Sequence, residues 1–330
     1  MRKVVYITDC EGPLTKDDNA LDVASHFIEG GEKLFVLLSS FDDYLGYVER
    51  PQGYTLGSTL LYILPFLKAE GVKDRDLREF SGRNVTIVPG ARGLVEAISG
   101  SMDLFIVSTS YLYYAEAVSR VFGIPMDRIF STELSLDSYE MGDWERETIR
   151  EQKEAFLELP MLEWGKEEKG THTERAIRIL KEFFFQRIKN MPIYAWLSRI
   201  KIMGGVAKRD AIREICRRTG VGVADTIYVG DSITDVEALR YVRDGGGLSL
   251  SFNGNRYAVS SSEYVVIAED AGVMVEIARR FSERGKQAIE EGRLEGGLII
   301  RRKEDNLEEI SSMSERKRKE VRGERVGRLG

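Results

Sequence analysis

The sequence predicts an α/β fold: a doubly wound parallel sheet interrupted by two mainly helical insertions. Three observations lead there. Short apolar runs, each bounded by polar residues or Gly, recur along the 330 residues and have the length of buried strands. Helical patterns separate them, which is the alternation of a parallel sheet. Two long stretches then break that rhythm, and both are too long to be loops of a compact domain.

The elements follow in order. Val4–Thr8 is the first strand. Residues 16–84 form the first insertion, with Leu34–Leu38 as a weaker strand candidate, a turn at Arg50-Pro51-Gln52-Gly53 and a helical pattern through Leu60–Leu67. Gly93–Ser99 has helical spacing, Leu104–Val107 is a strand, Tyr114–Phe122 is again helical, and a strand is expected near Ile129–Leu134. Residues 137–203 form the second, helical insertion, rich in Glu and Lys with Trp144, Phe156, Trp164, Phe183-Phe184-Phe185 and Trp196 interspersed. Lys208–Arg218 and Thr234–Arg240 are helical around the strand Thr226–Val229. Gly245-Gly246-Gly247 connects to weaker strands at Leu248–Ser251 and Tyr264–Ile267, with a turn at Asn253-Gly254-Asn255 between them. The expected organisation is a core of 1–15, 85–136 and 204–283, the two insertions, and a charged extension over 284–330. In that extension Leu294–Ile300 reads as a short strand or anchored turn, and the part from Ser311 as an exposed helix or a disordered tail.

Composition narrows the function. Hydrophobic residues make up 42% of the chain, enough for a sizeable core, and the formal net charge of -6 argues against a nucleic-acid binder. Cys10 and Cys216 are far apart and lack metal-ligand spacing, so a reducing, cytoplasmic setting is expected. Met1-Arg2-Lys3 runs straight into a strand, which predicts no secretory leader. No apolar run reaches the ~20 residues of a membrane span, so no membrane insertion is expected.

Two carboxylates, Asp9 and Glu11, end the first strand two positions apart and point to the same side if the extended geometry persists. The carboxyl end of a parallel strand is where ligands bind in such sheets. Like charges placed there repel unless a cation or a shared proton lies between them, although two such acids also read as a solvated loop pair. Tyr228-Val229-Gly230-Asp231 repeats the design, with Asp235 four residues on. Asp235 also suits the start of a helix by its charge. Hard oxygen ligands from several strand ends suit Mg2+.

These segments resemble the haloacid dehalogenase superfamily. Its four motifs appear in order as VVYITDCEGPLT, LFIVSTS, GGVAKRD and IYVGDSITD. More narrowly, the D-x-E-G-P-L-T start and the insertion layout look like an archaeal group labelled energy-converting hydrogenase A subunit R. The resemblance implies a Mg2+-dependent phosphatase. Asp9 would be the nucleophile that forms an aspartyl-phosphate. Mg2+ would be held by Asp9, the backbone carbonyl of Glu11, and Asp231, with Asp235 through water. Ser108 would bind a phosphoryl oxygen, with Thr109 as its substitute, and Lys208 would supply a fixed positive charge; the bland readings are a helix N-cap and a surface lysine. Lys201 competes less well, because Gly204-Gly205 separates it from the helix. Glu11 departs from the Asp the family usually carries. Its oxygens reach about 1.5 Å further, so it is either a repositioned acid/base or the mark of slow or lost turnover.

By the same resemblance the insertions would cover the site, which implies a small phosphorylated metabolite as substrate. Arg50, Arg83 and Lys33 read mainly as solvated surface residues. Two other functions stay open: a phosphotransferase, and a hydrogenase-associated binding or assembly subunit whose protein partner engages the extension or the helical insertion.

Overall fold

The computed structural model describes residues 2–162, 171–327 and 329. Trp164 of the second insertion lies outside them. Eight strands form one sheet: β1 (Val5–Thr8), β2 (Asp103–Tyr111), β3 (Ile129–Thr132), β4 (Thr226–Gly230), β5 (Leu248–Phe252), β6 (Tyr264–Ala268), β7 (Gly292–Leu294) and β8 (Gly297–Arg301). Their order is β3-β2-β1-β4-β5-β6-β8-β7. The first six pair in parallel, and β8 and β7 add an antiparallel hairpin at one edge. This is the doubly wound sheet the apolar runs predicted.

Alternation along each strand sorts the side chains into two layers. Val5, Ile7, Val107 and Tyr228 pack against the helices Val206–Thr219 and Val236–Asp244. Val4, Tyr6, Ile106 and Val229 pack on the other face, against Ala91–Ser99 and Val273–Arg284. Burial on both faces is why these strands read as unbroken apolar runs rather than alternating ones.

Segments 16–84 and 137–203 are helical where described, and they share one hydrophobic core distinct from those of the sheet. Phe66 meets Phe156 with 6.0 Å between ring centroids, and Tyr62 meets Phe184 at 4.4 Å. The Phe183-Phe184-Phe185 run is therefore absorbed inside this core. No helix among the described residues is long and apolar enough to cross a membrane.

Three expectations change. Leu34–Leu38 is not a strand but part of the helix Gly31–Tyr44, where Leu34, Phe35, Leu37, Leu38 and Phe41 are all buried. A run of five apolar residues fits either state, and here the helical neighbours decide. Leu294–Ile300 is the β7–β8 hairpin, turned at Glu295-Gly296, where Gly296 takes φ +84°. The charged segment from Ser311 is neither exposed nor disordered over most of its length. It belongs to the helix Leu307–Arg322, which buries Ile310, Ser314, Arg318 and Val321.

Candidate active site

Asp9 directly follows β1 and Asp231 directly follows β4, and these two strands are hydrogen-bonded neighbours. From β1 the chain leads to β2 on one side, and from β4 to β5 on the other. A crevice opens at such a switch point, beyond the carboxyl ends of the strands. Asp9 and the acids beyond residue 230 thus meet, whereas the Glu11 carboxylate is outside their cluster. Asp9, Asp231 and Asp235 each place a carboxylate oxygen within 4.8 Å of the others, and all three residues are buried.

Lys208 enters from the first turn of Val206–Thr219 and is fully buried. Its ammonium donates to Asp9 Oδ2 at 2.6 Å and to Asp235 Oδ1 at 2.8 Å. Burial works against that charge, but Asp235 and Asp9 more than restore it, so the ammonium is held above the usual lysine range. Asp235 is saturated. Its Oδ1 also accepts from Tyr228 Oη at 2.7 Å, and its Oδ2 accepts from the N–H groups of Asp231 and Ser232, both at 3.0 Å. Against the cost of burial, Lys208 and these hydrogen bonds keep its carboxyl below the usual range. Asp9 is different. Burial pushes its carboxyl up to about 8; Lys208 pulls it down, and the like charges of Asp235 and Asp231 push it up again.

Glycine makes room for this cluster. Gly12 turns the chain at φ +106°, and a Cβ there would collide with the Asp231 carboxylate. A Cβ at Gly230 would likewise run into the Asp235 carboxylate. The turn lets Glu11 reach the helix Asn19–Phe27, where its Oε1 accepts from Asn19 N–H at 2.7 Å. Burial and nearby Asp18 hold the Glu11 carboxyl well above its usual range, although Asn19 N–H and Arg322 oppose this.

The site opens into a cavity of about 100 Å³ between sheet and insertions. Thr109 lines it and donates to Thr234 Oγ1 at 3.2 Å. Ser108 does not line it; its hydroxyl pairs with Ser110 at 2.8 Å. Lys201, Arg50, Arg83 and Lys33 are exposed and away from the cavity. The Asn253-Gly254-Asn255 turn supports the site from behind, as Asn255 N–H donates to Asp231 O at 2.9 Å.

Several lining residues carried no sequence signal. Asp18, Asp42 and Asp43 reach the cavity from the first insertion, and Arg318 and Arg322 from the C-terminal helix. Six carboxylates (Asp9, Glu11, Asp18, Asp42, Asp43 and Asp231) line it against two guanidiniums. Asp231 Oδ1 is buried with no hydrogen-bond partner among the described residues. An acid-rich site with an orphaned carboxylate oxygen fits a hard divalent cation such as Mg2+. Asp231 Oδ1 is open to one, and Asp9 accepts a single bond on each oxygen, from Cys10 N–H on Oδ1 and from Lys208 on Oδ2, whereas each oxygen of Asp235 accepts two or more.

The fold is haloacid dehalogenase-like. The structure of gene product AF1437 from Archaeoglobus fulgidus is similar over 100% of this chain and 99% of that one, with a TM-score of 0.85 at 26% sequence identity. A substrate-bound phosphoserine phosphatase complex matches with a TM-score of 0.51 at 14% identity, covering 84% of this chain and 98% of the other. Phosphoserine phosphatase in apo form gives 0.50 at 13% identity over the same shares. No family model matches the chain, and no curated protein matches its sequence.

Proposed function

We propose that the chain is a Mg2+-dependent phosphatase of the haloacid dehalogenase superfamily that hydrolyses a small phosphorylated metabolite. One observation carries this reading: Asp9, Asp231 and Asp235 cluster at the carboxyl ends of adjacent strands, a buried lysine joins Asp9 to Asp235, and one Asp231 oxygen is left open among the described residues. The likeness in fold to phosphoserine phosphatase supports it.

In this mechanism Asp9 attacks the phosphorus atom. The bond to the ester oxygen breaks, and that oxygen leaves with a proton from Glu11. Glu11, now a carboxylate, takes a proton from water, whose oxygen attacks the phosphorus of the aspartyl-phosphate and frees Asp9. Lys208 holds the Asp9 carboxylate in place and offsets charge on the phosphoryl oxygens. Thr109, on the cavity wall, is better placed than Ser108 to donate to a phosphoryl oxygen. Asp9, Asp231 and the Glu11 carbonyl would hold Mg2+, which would supply positive charge against the repulsion between nucleophile and phosphate. The small cavity, walled partly by the insertions, suits a small phosphate ester.

The test is hydrolysis of p-nitrophenyl phosphate with and without Mg2+, in wild type and Asp9→Asn. Metal-dependent release of nitrophenolate by wild type alone supports the reading. A phosphotransferase would instead show faster release when an alcohol acceptor is added. A wild type inert across a broad set of phosphate esters points to the binding or assembly role. The narrower likeness to the hydrogenase-labelled archaeal group bears on that role, and pull-down against hydrogenase components tests it.

A further inference from the structure

The helix Leu307–Arg322 brings two cations to the back of the site. Arg318 is 3% exposed. Its Nη1 donates to Asp231 O at 3.1 Å and to Asp231 Oδ2, while its Nη2 donates to Leu329 O at 3.3 Å. Arg322 Nη1 donates to the same Oδ2 at 3.1 Å. The rest of its fork is fixed on backbone: Nε on Lys16 O at 3.0 Å and Nη2 on Asp17 O. One turn before Arg318, Ser314 donates to Gly254 O at 2.7 Å, locking the helix to the turn whose Asn255 N–H holds Asp231 O. Among the described residues, both side-chain donors to the Asp231 carboxylate land on Oδ2, and Oδ1 is left without a partner.

We propose that Arg318 and Arg322 are positioning residues that clamp Asp231 by one oxygen, so that the other alone is presented to the metal. The inference rests on the metal reading above and goes beyond it, since it assigns a role to a segment outside the four motifs. Mg2+ demands near-ideal octahedral geometry from its ligands, so a carboxylate that cannot rotate is worth more to it than a free one. Groups that orient a metal ligand through its far side typically carry ten- to a hundredfold in metal affinity. Two guanidiniums near a metal also repel it. Here, however, the Nη donors of Arg318 and the donors of Arg322 go to Oδ2 and to the carbonyls of Lys16, Asp17, Asp231 and Leu329 rather than to the open oxygen, and Arg318 Nε is buried with no partner among the described residues.

The opposing effects differ in sign, so affinity decides between them. Mn2+ is titrated calorimetrically into metal-free full-length wild type, Arg318→Gln, Arg318→Lys and Arg322→Gln, with melting temperature and circular dichroism recorded for each. Folded Arg318→Gln is expected to bind Mn2+ about ten- to a hundredfold more weakly, and Arg322→Gln less strongly affected. Arg318→Lys falls between wild type and Gln, because an ammonium keeps the charge but lacks the fork. If Arg318→Gln does not fold, Arg322→Gln carries the test. Unchanged or tighter binding in the folded variants overturns the clamp. When that happens while wild type binds Mn2+ and hydrolyses p-nitrophenyl phosphate, the clamp falls alone. A wild type that binds no Mn2+ overturns both the clamp and the metal reading.

Discussion

The Lys208 ammonium lies 2.6 Å from Asp9 Oδ2, although 199 positions separate the two residues in the chain. Neither side chain is more than 6% exposed, and the second partner of the ammonium, Asp235, is fully buried. The lysine therefore holds together the ends of β1 and β4 as well as the charge balance of the site.

Removing that cation should show in stability before it shows in rate. Lys208→Met leaves two buried carboxylates facing each other with nothing between them. Breaking a buried pair in this way costs about 3–5 kcal/mol. A fall in the urea midpoint at constant m-value is expected. A midpoint within error of wild type would mean that the carboxylates are protonated or otherwise neutralised, and that the lysine is dispensable for folding.

Glu11→Gln should separate the two halves of the proposed reaction. The amide keeps an oxygen to accept from Asn19 N–H, so the turn survives, but it carries no acidic proton. General acid catalysis is worth roughly 10²–10⁴-fold. That loss should be large for an alkyl phosphate, whose leaving group needs the proton, and small for p-nitrophenyl phosphate in the first step. Equal losses on both substrates would count against Glu11 as the acid.

Much of this site was legible before the fold was known, and for a physical reason. Strands buried on both faces leave continuous apolar runs, and Asp9 and Asp231 each stand at the abrupt polar end of one. Leu34–Leu38 misled because a short apolar run carries no period of its own. Arg318 was not legible at all. The face it shares with Ile310, Ser314 and Val321 has two polar members, so it makes no apolar stripe. Its burial makes sense only beside Asp231, 87 residues away. Asp42 and Asp43 were hidden likewise, as ordinary acids on a helix whose other residues gave no hint of a cavity.

Acid should loosen the join between the first insertion and the segment that follows β3. Asp74 of the first accepts from Ser135 Oγ at 2.7 Å and from the N–H groups of Leu136 and Asp137 at 2.5 and 3.2 Å. Despite the cost of burial, these bonds and the Tyr113 hydroxyl hold its carboxyl below the usual range. A depressed folded-state value means stability present above the unfolded value of about 4 and lost as pH falls through the folded one. Asp74→Asn should lower the melting temperature near neutrality and flatten its decline below pH ~4. Parallel melting curves for variant and wild type across that window would remove Asp74 from the account.

One carboxylate suspends the turn that walls the cavity. Asp42, 4% exposed, accepts from Tyr54 Oη at 2.6 Å, Gly57 N–H at 3.0 Å, and the N–H and hydroxyl of Thr59 at 3.1 and 3.0 Å. Gly57, at φ +91°, brings that turn so close to the sheet that a Cβ would meet the Thr109 methyl at 2.9 Å. Asp42→Ala leaves several buried donors unpaired, each costing about 1–3 kcal/mol if water does not enter. The cheaper outcome is local opening of residues 54–59, so amide exchange at Gly57 and Thr59 should quicken by roughly ten- to a hundredfold while β1 and β4 stay protected. Because Asp42 touches none of Asp9, Lys208 or Asp231, KM should rise more than kcat falls. Unaltered exchange at Gly57 and Thr59 would show that other contacts hold the wall, and a collapse of kcat alone would place Asp42 in the chemistry instead.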